Sequence, residues 1–178
     1  MTKDPTILIA GIDIGRQGAI SFINEYFDLV DVVDMPVLYD GPDGRPSVNS
    51  QMLGEIIKDW GPNRAFIENV NARQDEGKVG AGAFGSSKWK VEGVLSINEV
   101  RFTLLDPICW KSQIGIPPGR EMGKKAALAE ALRRWPEQTA KFTRVKDDGR
   151  ADACLIAVAG ILIEHGIPAT RNYKRQYP

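Results

Sequence analysis

The sequence predicts one mixed α/β domain, a five-stranded sheet with three antiparallel strands followed by parallel ones and helices on its faces. Three observations predict it. Short β-branched runs joined by tight polar turns open the chain, in the manner of a meander. Helical periodicities then alternate with strand-like runs, a pattern that lays later strands parallel through crossover helices. Finally, 178 residues with 43% hydrophobic and 26% charged side chains suffice to bury a continuous core in one unit.

Ile7 to Ile14 reads as a buried strand closed by Gly15, and Gly18 to Ile23 and Leu29 to Val33 as its antiparallel successors. Gly41-Pro-Asp-Gly-Arg-Pro46 is a turn-rich loop. A helix capped by Ser47 or Asn49 runs to Trp60, with Met52, Leu53, Ile56 and Ile57 on one face, and Gly61-Pro62 ends it. Arg64 to Val70 is the next strand, placed parallel to a neighbour by the helix before it. A glycine-rich loop from Gly77 to Gly85 leads to a helix from Lys88 to Ile97. Phe102 to Asp106 is the fifth strand, and Pro107 to Lys111 opens a short helix. Two longer helices cover Arg120 to Trp135 and Gly149 to Glu164, and Gly166-Ile-Pro168 closes the second. Residues 1–178 are read as a single domain, with a loose basic tail from about 169 carrying Arg171, Lys174 and Arg175. There are no internal repeats and no low-complexity tracts.

Composition narrows the function classes. No segment is long and apolar enough to span a bilayer, and the start Met-Thr-Lys-Asp-Pro has no signal-peptide core, so the expectation is a cytoplasmic protein without a membrane partner. Cys109 and Cys154 lack CxxC spacing and read as buried free thiols. Net charge is zero, against a uniformly basic nucleic-acid binder. Yet residues 1–80 hold 7 Lys+Arg against 13 Asp+Glu, while residues 81–178 hold 16 against 10, which permits a basic face beside an acidic site.

The acidic residues carry the chemistry. Asp13 lies in an apolar strand, and Glu68 follows Phe66 and Ile67 in another; a carboxylate there is costly unless paired or metal-bound. If the crossover helix sets those strands side by side, both converge at one sheet edge. In Lys146-Asp-Asp-Gly-Arg-Ala-Asp152, Asp148 and Asp152 share a helix face. Asp147 or Asp148 alone would pass as an N-cap, whereas Asp152 borders the buried stripe of Ala151, Ala153, Leu155 and Ile156. Two carboxylates about 4 Å apart repel by roughly 4 kcal/mol at an effective dielectric of 20. A site gathering three or four of them therefore wants a divalent cation, and all-oxygen ligation suits Mg2+ or Mn2+ rather than zinc.

In order and spacing, Gly11-Ile-Asp-Ile-Gly15 with Gly18-Ala-Ile-Ser21, Ala65-Phe-Ile-Glu-Asn-Val70 and Asp148-Gly-Arg-Ala-Asp-Ala153 resemble the RuvC family of Holliday-junction resolvases. The likeness covers about Ile7 to Ala159 and is strongest to the shorter members of phages and related bacterial loci. It implies a ribonuclease-H-like fold and a Mg2+-dependent endonuclease, a crossover junction endodeoxyribonuclease. It also implies a homodimer with two active sites that cuts paired strands of a four-way DNA junction in a bacterial or phage-infected cell. By matching position, Asp13, Glu68, Asp148 and Asp152 would ligate the metal. The implied chemistry is two-metal hydrolysis, with cations roughly 3.5–4 Å apart and products bearing a 5′-phosphate. Trp110-Lys111 with Gly115-Ile116 resembles the family segment whose lysine nears the scissile phosphate, and Lys124 and Lys125 match a second basic region. Phe84-Gly-Ser-Ser-Lys88 aligns with a helix start facing the phosphates, which makes Lys88 a DNA contact.

Two departures stand out. Some relatives carry a base-stacking aromatic three residues after the strand glutamate, where this chain has Asn71; Phe84 or Trp89 are the substitutes, though core packing is the plainer reading of each. Others place histidine beside the third acid, where this chain has Asp147, so Asp147 competes with Asp148 as ligand. The one histidine, His165, reads as a dipole partner at a helix end. The alternatives are another ribonuclease-H-like nuclease acting on RNA–DNA hybrid or structured RNA, and a non-catalytic junction-binding protein. The sugar-kinase and actin ATPase fold shares an opening Asp-x-Gly but needs two domains and gives Asp148 and Asp152 no role. A dinucleotide fingerprint fails because no helix directly follows Gly11-x-x-x-Gly15, so no nucleotide cofactor is expected.

Overall fold

The computed structural model describes residues 7–14, 17–40, 44, 46–69, 78–144 and 147–170; the side chains of 78–84 and 120 lie outside that description, as do Asn71 and the tail from 171. β1 (Leu8–Asp13), β2 (Ala19–Asn24) and β3 (Leu29–Asp34) form the expected meander, with β1–β2 and β2–β3 antiparallel. β4 (Val37–Leu38) and β5 (Ser47–Val48) make a separate two-stranded ribbon. α1 (Ser50–Trp60) crosses over to β6 (Arg64–Glu68), parallel to β1, and α2 (Lys78–Ile97) crosses to β7 (Arg101–Leu105), parallel to β6. The sheet order is β3-β2-β1-β6-β7, the mixed five-stranded sheet read from the sequence. α3 (Pro107–Ile114), α4 (Arg120–Arg134), a 3-10 helix (Pro136–Phe142) and α5 (Asp148–Glu164) complete the chain.

Strand alternation divides the core into two layers. Ala10, Ile12, Ile20, Phe22, Ala65 and Ile67 face α1 and α2, meeting Leu53, Ile57, Val91 and Leu95. Ile9, Ala19, Ile23, Phe66 and Leu105 face the other way, onto α5, with Trp110, Ala127 and Ala131 around it. α5 is buried from Gly149 to Ile161 apart from Arg150 and Asp152, as expected of a helix that is apolar and small on nearly every side. It lies close enough to the sheet that a Cβ on Gly11 would strike the Ala153 carbonyl. Ser21 fills the gap beside it by donating its hydroxyl to that oxygen at 3.0 Å.

Several boundaries differ from the sequence reading, each for a local reason. The helix expected from Ser47 or Asn49 starts at Ser50: Asn49 is the cap, its Oδ1 accepting the Met52 N–H at 3.1 Å, while Ser47 belongs to β5. The glycine-rich stretch is not a loop. From Lys78 onward it is helix, so crossover packing overrides a cost of about 1 kcal/mol per interior glycine. The Lys88 segment therefore lies inside α2, not at its start, and the helix-dipole argument for phosphate binding does not apply there. Cys109 is exposed on α3, whereas Cys154 is buried in α5, where desolvation pushes its thiol far above the thiolate range. Trp89 is 73% exposed, against its reading as core. Among the described residues no helix is long and apolar enough to cross a membrane.

Candidate active site

Asp13 ends β1 and Glu68 ends β6. Their parallel register pairs Ile12 with Ile67, so the two acids that follow leave the sheet side by side. Period-two alternation sets Asp13 on the face of Ile9 and Gly11, and Glu68 on that of Phe66, which is the face α5 covers. α5 brings Asp148 as its first residue and Asp152 one turn on. The position of that first turn is tightly defined, because a Cβ on Gly149 would overlap the Gln17 carbonyl in the β1–β2 turn. Four acidic residues from three distant segments are thus brought to the carboxyl edge of the central strands.

Their mutual repulsion is visible at Asp152. Burial pushes its carboxyl up from 3.8 to about 8; Asp13 adds to the rise, Lys111 opposes it, and Glu68 and Asp148 add smaller increments. Every candidate ligand and Lys111 therefore act on one side chain. Cationic and polar partners hold Asp148 and Glu68. Lys124 on α4 forms an ion pair with Asp148. The Trp110 indole N–H donates to Glu68 Oε1 at 2.9 Å, and the Lys111 ammonium sits 5.0 Å from the Trp110 ring centroid. Beyond Glu68, Lys88 donates to Asn69 Oδ1 at 2.6 Å, and Asn69 Nδ2 donates to Asp106 at 2.9 Å.

The choice between Asp147 and Asp148 has a geometric answer. Asp147 occupies the N-cap position without capping; its buried carboxylate turns back, accepting the Arg144 N–H at 2.7 Å and the Arg144 Nε at 2.8 Å. Arg144 and Arg150 both reach Asp34 at the end of β3, Arg144 through two bonds of 3.0 and 2.7 Å. Asp147 is thus a structural acid and Asp148 the one at the cluster. Lys125 is also set apart, since it pairs with Glu121 on its own helix, facing solvent. Sequence reasoning missed Asn69, Trp110 as a partner of Glu68, and the Asp34–Arg144–Arg150 network. The only signal for the last was the spacing of arginines three residues before and three after Asp147.

The donor set is all oxygen and its charges repel, which fits a hard divalent cation. As the side chains stand, no three acidic or imidazole groups among the described residues converge closely enough to enclose an ion. Lys124 and Trp110 hold two of the four acids by hydrogen bonds.

Sheet order, crossover helices and the helix laid over β1 and β6 define a ribonuclease-H-like fold. Two solved structures agree. The chain is similar to T. thermophilus RuvC in complex with a Holliday junction substrate, with TM-score 0.62 and 14% identity over 92% of this chain and 98% of that one. A second Thermus thermophilus RuvC structure gives 0.61 and 16% over 92% and 99%. The yeast mitochondrial Holliday junction resolvase Ydc2 gives 0.48 and 18% over 92% and 81%. No protein-family model and no curated protein matches the sequence. Identities this low establish the fold, and the motif resemblance to RuvC extends to that fold.

Proposed function

We propose that this chain is an endonuclease that resolves four-way or other branched DNA junctions by metal-dependent phosphodiester hydrolysis. The observation that carries the reading is the placement of four acids at one sheet edge, Asp13 and Glu68 at the ends of adjacent parallel strands and Asp148 and Asp152 one turn apart at the start of α5. The order of the RuvC-like motifs and the RuvC-like fold support DNA junctions as the substrate. Asp13, Glu68, Asp148 and Asp152 would hold Mg2+, with Mn2+ able to replace it. When bound, the cations supply the charge that activates water and stabilises the leaving 3′ oxygen.

The chain's own side chains do the positioning. Asp13 and Glu68 are fixed by the sheet, Asp148 and Asp152 by the packed start of α5. Lys111, already near enough to bias Asp152, is set to neutralise charge that builds on the phosphate during attack. Lys124 exchanges its Asp148 partner for a backbone phosphate, and Lys88, beside Asn69, grips the strand further out; Lys125 adds longer-range attraction. Trp89, exposed one residue from Lys88, takes the stacking role that Asn71 leaves vacant. Paired incisions need two such sites, so a homodimer belongs to the reading, acting in the cytoplasm of a bacterial or phage-infected cell.

The test is incubation with labelled four-way junction, linear duplex, RNA–DNA hybrid and ATP, with and without Mg2+. Symmetric, Mg2+-dependent nicking of the junction alone, absent in Asp13→Asn, is the expected result. Preferential cleavage of the hybrid would reassign the substrate, and a shifted but uncut junction would leave a binding protein.

A further inference from the structure

Trp110 lies next to a residue with an expected role but has none assigned, and its surroundings are unusual for a core aromatic. It is fully buried, yet its indole N–H does not go to a backbone carbonyl. It goes to Glu68, a buried carboxylate of the four. The Lys111 ammonium sits over the same ring, 5.0 Å from its centroid. One rigid ring therefore touches both the sheet acid and the neighbouring base.

We infer that Trp110 is a positioning residue that sets the orientation of Glu68 for a divalent cation and holds Lys111 beside it. The inference rests on the metal-site reading above. Its physics is general. A carboxylate with one oxygen tied to a fixed N–H loses rotational freedom before the cation arrives, so less entropy is lost on binding, and hydrogen-bonded partners of ligands tune affinity strongly. A buried carboxylate without such a donor would also bear a desolvation penalty. α3 can provide the donor because Pro107 opens it immediately after β7, which runs parallel to β6 and ends level with Glu68.

The molecule contains its own control. Trp135 is also buried, and its indole N–H donates at 3.0 Å, but to the Phe27 carbonyl at the far side of the α5 layer. Trp110→Phe and Trp135→Phe each remove one buried N–H and similar volume, so a merely structural role predicts similar losses of Tm and nothing more. Mn2+ affinity, measured by calorimetry on the full chain, separates the cases. Trp110→Phe should weaken Mn2+ binding by about 10- to 100-fold, and Trp135→Phe should leave it unchanged. High Mn2+ should restore junction cleavage to Trp110→Phe, a KM effect on metal rather than a kcat effect. In the wild-type protein, Mg2+ should move the Trp110 indole N–H resonance and not that of Trp135, a measurement that survives any folding defect in the variants.

Unchanged Mn2+ affinity in Trp110→Phe, equal shifts in both variants, or a still Trp110 resonance while Mg2+ binds would each overturn the positioning role and leave the metal site intact. Absence of Mn2+ binding in the wild type, or binding unaffected by Asp13→Asn, would overturn both.

Discussion

Asp147 and Asp148 are adjacent in sequence and belong to opposite kinds of electrostatic environment. Asp147 joins Asp34, Arg144 and Arg150 in a network where acids and arginines alternate and each arginine spans two acids. Asp148 joins Asp13, Glu68 and Asp152, a grouping of four acids beside Lys111 and Lys124. The first arrangement is complete within the protein: it ties the entry of α5 to the end of β3. The second carries an excess of negative charge that a divalent cation would offset. A balanced network of charge ties down a helix start, whereas a predominantly acidic one of the same residue types suits a cation, and here the two lie one residue apart at the start of α5.

The largest expected effect tests that division of labour directly. Asp148→Asn should lower junction cleavage on the order of 10²-fold or more, with the Tm of the metal-free protein little changed. Asp147→Asn should do the reverse. It removes a buried acceptor from partly exposed arginines, a loss of about 1–3 kcal/mol after discounting for that exposure, with cleavage at 25 °C within a few-fold of wild type. Thermal melts and single-turnover cleavage on both variants check it, and a catalytic defect in Asp147→Asn matching that of Asp148→Asn would erase the contrast.

The unmatched cluster should also reveal itself through pH. Because the Asp152 carboxyl is raised from 3.8 to about 8, chiefly by burial and then by Asp13, the folded protein keeps a proton that the unfolded chain releases. The unfolded state binds fewer protons between about pH 4 and pH 8, so stability falls as pH rises through that window and levels off above it. At a slope of about 1.4 kcal/mol per pH unit at most, and less for a partly exposed group, the loss across the window amounts to a few kcal/mol. Melts in EDTA from pH 5 to 8 should show it, and Asp152→Asn should flatten it. Cation binding must displace the same proton, so Mg2+ affinity should climb with pH up to about 8. An equal slope in wild type and Asp152→Asn would mean the cluster is not what strains the fold.

Gly149→Ala attacks the joint between the two regions. Its methyl would meet the Gln17 carbonyl, so the start of α5 must shift, costing roughly 1–3 kcal/mol. Asp148 and Asp152 would move with it, so Mn2+ binding should weaken alongside Tm. A stability loss with unchanged metal affinity would show that the helix start does not set the ligand geometry.

Much of this was legible in the sequence, for identifiable reasons. Asp13 and Glu68 stand out because a charge in an apolar strand is anomalous wherever it occurs, and the crossover between them predicts that they meet. Asp147 and Asp148 could not be separated that way. Both precede a helix, and what distinguishes them is Asp34, more than a hundred residues earlier, reached through Arg144 and Arg150. Trp110 hid for a similar reason: an indole advertises a donor but not its acceptor, here 42 residues back. The glycines of α2 misled because intrinsic propensity is a weak prior against crossover packing. β4 and β5, two residues each, are too short to show any periodicity.

The smallest expected effect separates Lys124 from Lys125. Lys125 and its partner Glu121 are 77% and 83% exposed, so the pair adds almost nothing to stability, and Lys125→Ala should leave Tm unchanged. If its charge helps hold DNA, the variant should bind junction and duplex more weakly by the same factor, with the salt dependence of binding shallower by about one phosphate contact. Lys124→Ala should show that same loss of slope and something more. Removing the cation paired with Asp148 leaves the acidic cluster one positive charge poorer, so metal-free Tm should fall and Mg2+ should restore it. Salt titrations of junction binding, run beside melts with and without Mg2+, distinguish the two lysines. If Lys125→Ala also acquired a Mg2+-dependent Tm, the line between the acidic cluster and the surface around it would have to be moved out by one turn of α4.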